Sequence, residues 1–340
     1  MRKKIKIFDY CWHIPHQWDM INALKDDCEF YYCLNVKRHW DTSQRPVPEN
    51  LSFVTHYEPG IYDVAILHLD QQMIAYDHQK RLIYDQFNRI ITDIPKIVIN
   101  HGTPVYPERF RELGYQISDA EMQEKCIEII RQLIGDNMMV VNSHTSASQK
   151  EWGFGHTIIH GINPSEWWDL PKEPRVFTAL SPYGFNAYYN RNCMGLVSDI
   201  LHDKYGYFLN YAKLNVETIN SPEDYKEFLG KSLLYLDTSF RTPMNRARTE
   251  AFLSGCCVIQ VEGAHDLERW AKPGENIVIV PNDPEEIAFV VADFLENRYE
   301  EAIAIGQKGK DMAIKEFSPK RYRQDWVKLL EKVTEKQLIS

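Results

Sequence analysis

A chain of 340 residues that is 44% hydrophobic, 26% charged and 12% aromatic has the make-up of a globular protein of two domains. Disordered, collagen-like and low-complexity classes are excluded, and no apolar run approaches the roughly 18 residues of a spanning helix. The net charge of −9, from 39 basic and 48 acidic residues, repels nucleic acid and anionic lipid, leaving at most peripheral membrane contact.

In chain order, the first half alternates short β-type runs with helical stretches. Lys4–Tyr10, Phe30–Leu34, Asp63–Leu69, Lys96–Asn100 and Met138–Asn142 are β-branched or aromatic and bounded by polar punctuation. Between them lie amphipathic segments at Gln79–Ile91 and Asp119–Ile134; in the latter, Met122, Cys126, Ile129, Ile130 and Leu133 recur at helical spacing. Gly161–Pro174 carries three prolines and reads as a linker. Beyond it, strands are predicted at Arg175–Leu180, Tyr207–Asn210, Leu233–Leu236, Cys256–Gln260 and Asn276–Val280. Helices are predicted at Arg191–His202, Pro222–Gly230, Asn245–Ser254, Pro284–Asn297, Glu300–Glu316 and Pro319–Val333. Near-continuous apolar strands alternating with helices predict α/β units with parallel sheets covered on both faces. The expected organisation is two Rossmann-like, doubly wound domains, 1–168 and 169–317, facing a central cleft, with 318–340 as a closing helix. Basic Met1–Lys4 precedes an apolar stretch, Ile5–Phe8, too short for a signal peptide's core. With seven cysteines, an odd number, and no C-x-x-C, the expectation is a cytoplasmic protein with reduced, buried thiols.

Leu233–Pro284 is the most informative stretch. A strand ends at Asp237, a polar loop follows, and a helix starts at Pro243 or after Asn245. Such a helix aims free N–H groups and its positive dipole end at the carboxyl edge of the sheet, which suits an anion. Arg241, Arg246 and Arg248 would strengthen a diphosphate site, and Glu250 lies where a carboxylate can accept hydrogen bonds from ribose hydroxyls. A solvent-facing helix of mixed charge is the alternative. His13-x-x-His16 has ligand spacing, but no H-E-x-x-H or Cys/His array accompanies it, so no metal is expected. No D-x-D, P-loop, G-x-G-x-x-G or G-x-S-x-G occurs.

The strand, loop, Glu-Ala helix, Ser254-Gly-Cys-Cys-Val-Ile259 and Asn276–Ile287 succession resembles the carboxyl-terminal domain of retaining GT-B glycosyltransferases of the GT4-type group (glycosyltransferase group 1). The resemblance implies that Glu250, matching the second glutamate of an E-x7-E signature, holds the nucleotide ribose. Thr242 stands where the family has its first glutamate, which contacts the donor sugar, and Asn245 stands for a loop glycine. Ile159-His-Gly-Ile-Asn163 resembles the family's Pro-Asn-Gly-Val-Asp segment. Asn100-His-Gly-Thr-Pro104 stands where the family often carries a histidine facing the donor sugar, which puts His101, beside Gly102, in the catalytic position. A satisfied loop histidine is the other reading. In Asp63–Asp70, either His68 or Asp70 is expected at the cleft. Asp9–His16 replaces the family's glycine-rich loop; His13 and the aromatic residues there would stack on a sugar or form a buried cluster. Arg191, then Lys213, are the nearest matches to the family's basic donor-site pair.

The implied activity is transfer from a nucleotide-diphosphate sugar to a carbohydrate, lipid-linked or small-molecule acceptor, retaining and without a metal cofactor. Amides around Asn245–Ala247 with Arg246 or Arg248 would stabilise the leaving diphosphate. Arg246→Ala is expected to cut turnover at an unchanged thermal midpoint. The alternatives are a nucleotide-sugar epimerase or hydrolase on the same fold and a catalytically silent protein that binds glycan or nucleotide.

Overall fold

Strands that are apolar along their whole length must be covered on both faces, and helices do this in each of two parallel sheets. The computed structural model describes residues 4–104, 119–180, 189–211, 219, 221–241 and 245–338. It divides into two units, Met1–Gly161 with Pro319–Ser340, and Ile162–Ser318. No described helix is long and apolar enough to cross a membrane.

In the first unit, β1 (Ile5–Tyr10), β2 (Cys28–Cys33), β3 (Leu51–Val54), β4 (Val64–Leu69), β5 (Lys96–Asn100), β6 (Met138–Val141) and β7 (His156–Thr157) lie in the order β3-β2-β1-β4-β5-β6-β7. Every pairing is parallel. Strand alternation sends Phe8, Tyr10, Ala65, Leu67 and Leu69 to a core shared with helices Gln79–Ile90 and Asp119–Ile134. Ile7, Val64 and Ile66 face the opposite core, which is closed by helix Ile14–Ala23 and by Tyr322, Trp326, Leu329 and Leu330 of helix Pro319–Leu338. The last helix therefore supplies one face of the first unit's core.

In the second unit, β8 (Glu173–Thr178), β9 (Leu209–Tyr211), β10 (Ser232–Asp237), β11 (Cys257–Val261) and β12 (Val278–Val280) form a parallel sheet in the order β12-β11-β10-β8-β9. Helices Arg191–Tyr205 and Pro284–Glu296 contribute Val197, Leu201, Ile287, Val291 and Phe294 to its core. Both strand orders are doubly wound, reversing direction between β1 and β4 in one sheet and between β8 and β10 in the other.

Three local expectations are revised. Of Gly161–Pro174, expected as a linker, the residues from Ile162 onward are built into the second unit: Leu170 N donates to the Gly230 carbonyl at 3.3 Å, and Asp169 accepts from Lys310 Nζ at 2.9 Å. The units accordingly divide after Gly161 and after Ser318, not after 168 and 317. Helix Ile14–Ala23 follows β1 directly, with Pro15 in its first turn, and shortens the expected loop. Strand β3 carries only four residues with one of them buried, too short an edge to register as a periodic run. All seven cysteines are buried and no disulfide joins them; burial pushes the Cys11, Cys193 and Cys256 thiols up to about 11.

Helix Tyr299–Glu316 approaches β11 through Gly306. A Cβ there would overlap the Gly255 carbonyl oxygen and lie 3.0 Å from the Cys256 carbonyl carbon and 3.1 Å from the Cys257 nitrogen. At an open helix position Gly→Ala stabilises by roughly 1 kcal/mol. Here Gly306→Ala should reverse that sign and lower stability in urea denaturation, since backbone cannot yield as a side chain does. A stabilised variant would refute the close approach.

Candidate active site

Ligands of open α/β sheets bind at the carboxyl ends of strands where the strand order reverses. In the second unit that edge carries Asp237, the last residue of β10, with no exposed surface. Its Oδ1 accepts the Ser239 N–H at 3.0 Å and the Ser239 hydroxyl; its Oδ2 accepts from Asn245 Nδ2 at 3.0 Å. Burial pushes this carboxyl above the usual carboxylate range, against the pull of Arg248 and these bonds. Asn245 is thereby fixed as the N-cap of helix Arg246–Leu253, its Oδ1 accepting the Ala247 N–H at 3.1 Å. One amide expected to face a diphosphate is thus satisfied by the cap.

Along that helix, Arg246 and Glu250 stand one turn apart and form a buried ion pair. The Tyr225 hydroxyl of helix Pro222–Lys231 donates to Glu250 Oε2 at 3.0 Å. Tyr225 was not foreseen from the sequence, because a single tyrosine on a separate helix carries no local signal. Arg248 points elsewhere. It is 1% exposed, donates to Gln260 Oε1 at 2.7 Å and lies 5.1 Å above the Trp270 ring, and burial pulls its pKa down. Its place is in the core rather than at an open phosphate site. Arg241 is half-buried in the loop, and Arg191 is the exposed first residue of its helix. Thr242 and Lys213 lie outside the described residues.

The first unit's reversal point lies between β1 and β4, and there Asp9 and His68 meet. Both are wholly buried, with Asp9 Oδ1 2.8 Å from His68 Nε2. His68 Nδ1 is in turn 3.0 Å from Nε2 of His101, just beyond β5. The Trp12 ring stacks on both imidazoles, 5.6 Å from His68 and 5.7 Å from His101. Burial first, then the neighbouring His68, His13 and Lys80, holds the His101 imidazole well below its ordinary range. His101 lines a pocket of this unit together with His16, His160, Asn100 and Asn142.

Asp70 is committed to other work. It caps the 3₁₀ turn Gln71–Ile74, accepting the Gln72 N–H at 2.9 Å, and forms an ion pair with Lys80. Of the two residues weighed for this strand, His68 is the one that reaches His101. Gly102 is pinned by its N–H to Asn100 Oδ1 at 3.0 Å and by its carbonyl, which accepts from Trp152 Nε1 at 3.0 Å. A Cβ there would overlap Gln71 Oε1. His13 is exposed and caps helix Ile14–Ala23, its ring 4.5 Å from that of His16. No group of three or more described His, Cys, Asp or Glu residues is placed to hold a metal ion.

Two variants test these assignments. Asp is as good an N-cap as Asn on intrinsic grounds. Asn245→Asp nevertheless loses the donor to Asp237 and sets a second acid beside it, so it should destabilise by about 1–3 kcal/mol in urea denaturation. Equal stability would dismiss the Asp237 contact. For His101, the unfolded chain takes up a proton near the ordinary imidazole pKa of about 6.5 while the folded chain does not, so its contribution to stability falls as pH drops below that value. His101→Gln should therefore lose less stability than the wild type between about pH 7 and pH 5. Identical slopes would contradict a neutral, buried ring.

No family model matches the sequence, and no curated protein matches it. Solved structures do. HepE from Anabaena, in complex with UDP-glucose, superposes with a TM-score of 0.64 over 96% of this chain and 100% of its own, at 14% identity. Sucrose-phosphate synthase from Thermosynechococcus elongatus gives 0.66 over 98% and 100%, at 11% identity. Trehalose-6-phosphate synthase OtsA gives 0.62 over 97% and 99%, also at 11%. At such identities the likeness carries architecture, and with its two doubly wound parallel sheets the chain has the fold of the GT-B glycosyltransferases.

Proposed function

We propose that this protein transfers a sugar from a nucleoside-diphosphate sugar to an acceptor, the second unit holding the nucleotide and the first the acceptor. The observation that carries this reading is the Arg246–Glu250–Tyr225 cluster. It lies on a capped helix that follows the carboxyl end of β10 at the reversal point of the sheet. A glutamate accepts up to about four hydrogen bonds, so Arg246 and Tyr225 leave room on Glu250 for two ribose hydroxyls. The same fold in HepE, whose structures hold UDP-glucose and UDP, supports a nucleotide of this class.

Chemically, the step breaks the bond between the anomeric carbon and the diphosphate and forms one to an acceptor oxygen. The negative charge grows on the leaving diphosphate, and the dipole of helix Arg246–Leu253 with the Arg246 guanidinium would stabilise it without a metal. Retention of anomeric configuration follows from the family resemblance and is part of the proposal. His101 and His68 belong to the first unit's contribution, toward the acceptor or the transferred sugar.

The buried pair changes the expected behaviour of Arg246→Ala. Removing either partner leaves the other charge buried and uncompensated, which costs about 3–5 kcal/mol. Arg246→Ala should therefore lower the thermal midpoint as well as turnover, correcting the unchanged midpoint expected above. Glu250→Gln is the more informative variant, since its amide oxygen can still accept from Arg246. Among UDP, GDP and ADP, one nucleotide should raise the thermal midpoint by mass action, stabilising the folded state by about 2.7 kcal/mol at a hundredfold excess over Kd. Glu250→Gln should weaken that nucleotide's binding on the order of tenfold, as a lost charge-assisted hydrogen bond does. Unchanged affinity in calorimetry would remove the ribose contact. Binding with no turnover on any acceptor would favour the silent reading, which the Thr242 substitution motivates.

A further inference from the structure

We propose that Asp9 and His68 are positioning residues that fix the tautomer of His101, so that its Nδ1 presents a lone pair and accepts a hydrogen bond from a neutral hydroxyl. The argument is an accounting of donors and acceptors. A carboxylate only accepts. Asp9 Oδ1 takes the Tyr10 N–H at 2.6 Å and faces His68 Nε2 at 2.8 Å, so His68 Nε2 carries a hydrogen.

Gln17 cannot replace that hydrogen. Its Oε1 accepts the N–H groups of Trp12 at 2.8 Å and His13 at 3.1 Å, which sets the orientation of its amide. The two amide hydrogens then go to Asp9 Oδ2 at 3.2 Å and the Tyr10 carbonyl at 2.9 Å. Its 3.1 Å approach to His68 Nε2 is a contact between two donors already engaged elsewhere.

A neutral imidazole has one donor and one acceptor. His68 Nδ1 is therefore the acceptor, and the described group that reaches it is His101 Nε2, at 3.0 Å. His101 donates from Nε2 and keeps Nδ1 bare. Trp12 lies at 20° to both imidazole planes and resists the ring rotation that would exchange the nitrogens. Lys80, with its ammonium 4.7 Å from the Trp12 ring centre, adds a cation beside the stack and disfavours another on His101. A bare Nδ1 welcomes an O–H and repels carboxylate or phosphate oxygens. That the hydroxyl belongs to a sugar rests on the glycosyl-transfer reading; the tautomer assignment does not.

Long-range ¹H–¹⁵N correlation on histidine-labelled protein, without nucleotide or acceptor and at about pH 8, above the ordinary imidazole range, reads both tautomers. His68→Gln and His101→Gln spectra assign the signals. The expected result is Nε2–H at both rings. Asp9→Ala removes the acceptor and frees the Gln17 amide, 3.1 Å from His68 Nε2, to donate there, so it should shift both rings together toward Nδ1–H. The proposal is overturned if His101 carries its hydrogen on Nδ1 in the wild type, or if Asp9→Ala leaves both rings unchanged. Should Asp9→Ala fail to fold, the wild-type spectrum still decides. The nucleotide panel tests glycosyl transfer separately, so the two ideas fail independently.

Discussion

A carboxylate without access to water must have its lone pairs filled by the protein, and this requirement organises both ends of the molecule's chemistry. Asp9 is the penultimate residue of a central strand of one sheet and Asp237 the last residue of a central strand of the other, and neither has exposed surface. Each recruits the chain that follows it. Asp9 gathers the next backbone amide, the Gln17 side chain from the succeeding helix and the His68 imidazole from the neighbouring strand. Asp237 gathers Ser239 and Asn245, and so fixes the loop and the cap of the helix that carries Glu250. The two acids thus organise the polar clusters at the carboxyl ends of both sheets.

Helical geometry then sorts the charges. Residues four apart share a face and residues two apart do not. On the short helix Arg246–Leu253, that rule puts Arg246 and Glu250 together while turning Arg248 toward Gln260 and Trp270. Two arginines that look equivalent in sequence divide into one paired with Glu250 and one set in the core. The pairing with Glu250 also tempers the positive field at the helix start, so the pair can be buried at all.

The two units share a logic despite different strand orders. In each, the reversal point exposes the ends of two strands that no crossover covers, and polar side chains collect there. Gly306 shows the opposite case: where a helix must lie on a strand's backbone, side chains are excluded altogether.

The sequence by itself determined the alternation of elements and most strands, because a doubly covered parallel strand is an unbroken apolar run that can be read locally. It also marked His101, Glu250 and Asn245, since each lies just after a strand or in the first turns of a helix, where local position limits what the residue faces. Tertiary structure alone decided the rest. Asp9, His68 and His101 come from β1, β4 and the segment after β5, and only strand order brings them into one chain of contacts. Tyr225 reaches Glu250 from another helix, and Arg248 turns inward because Gln260 of β11 lies beneath it. Asp70 is engaged by Lys80, ten residues on in another helix. Periodicity reports which face of an element is buried; it holds no information on which other element the face will meet.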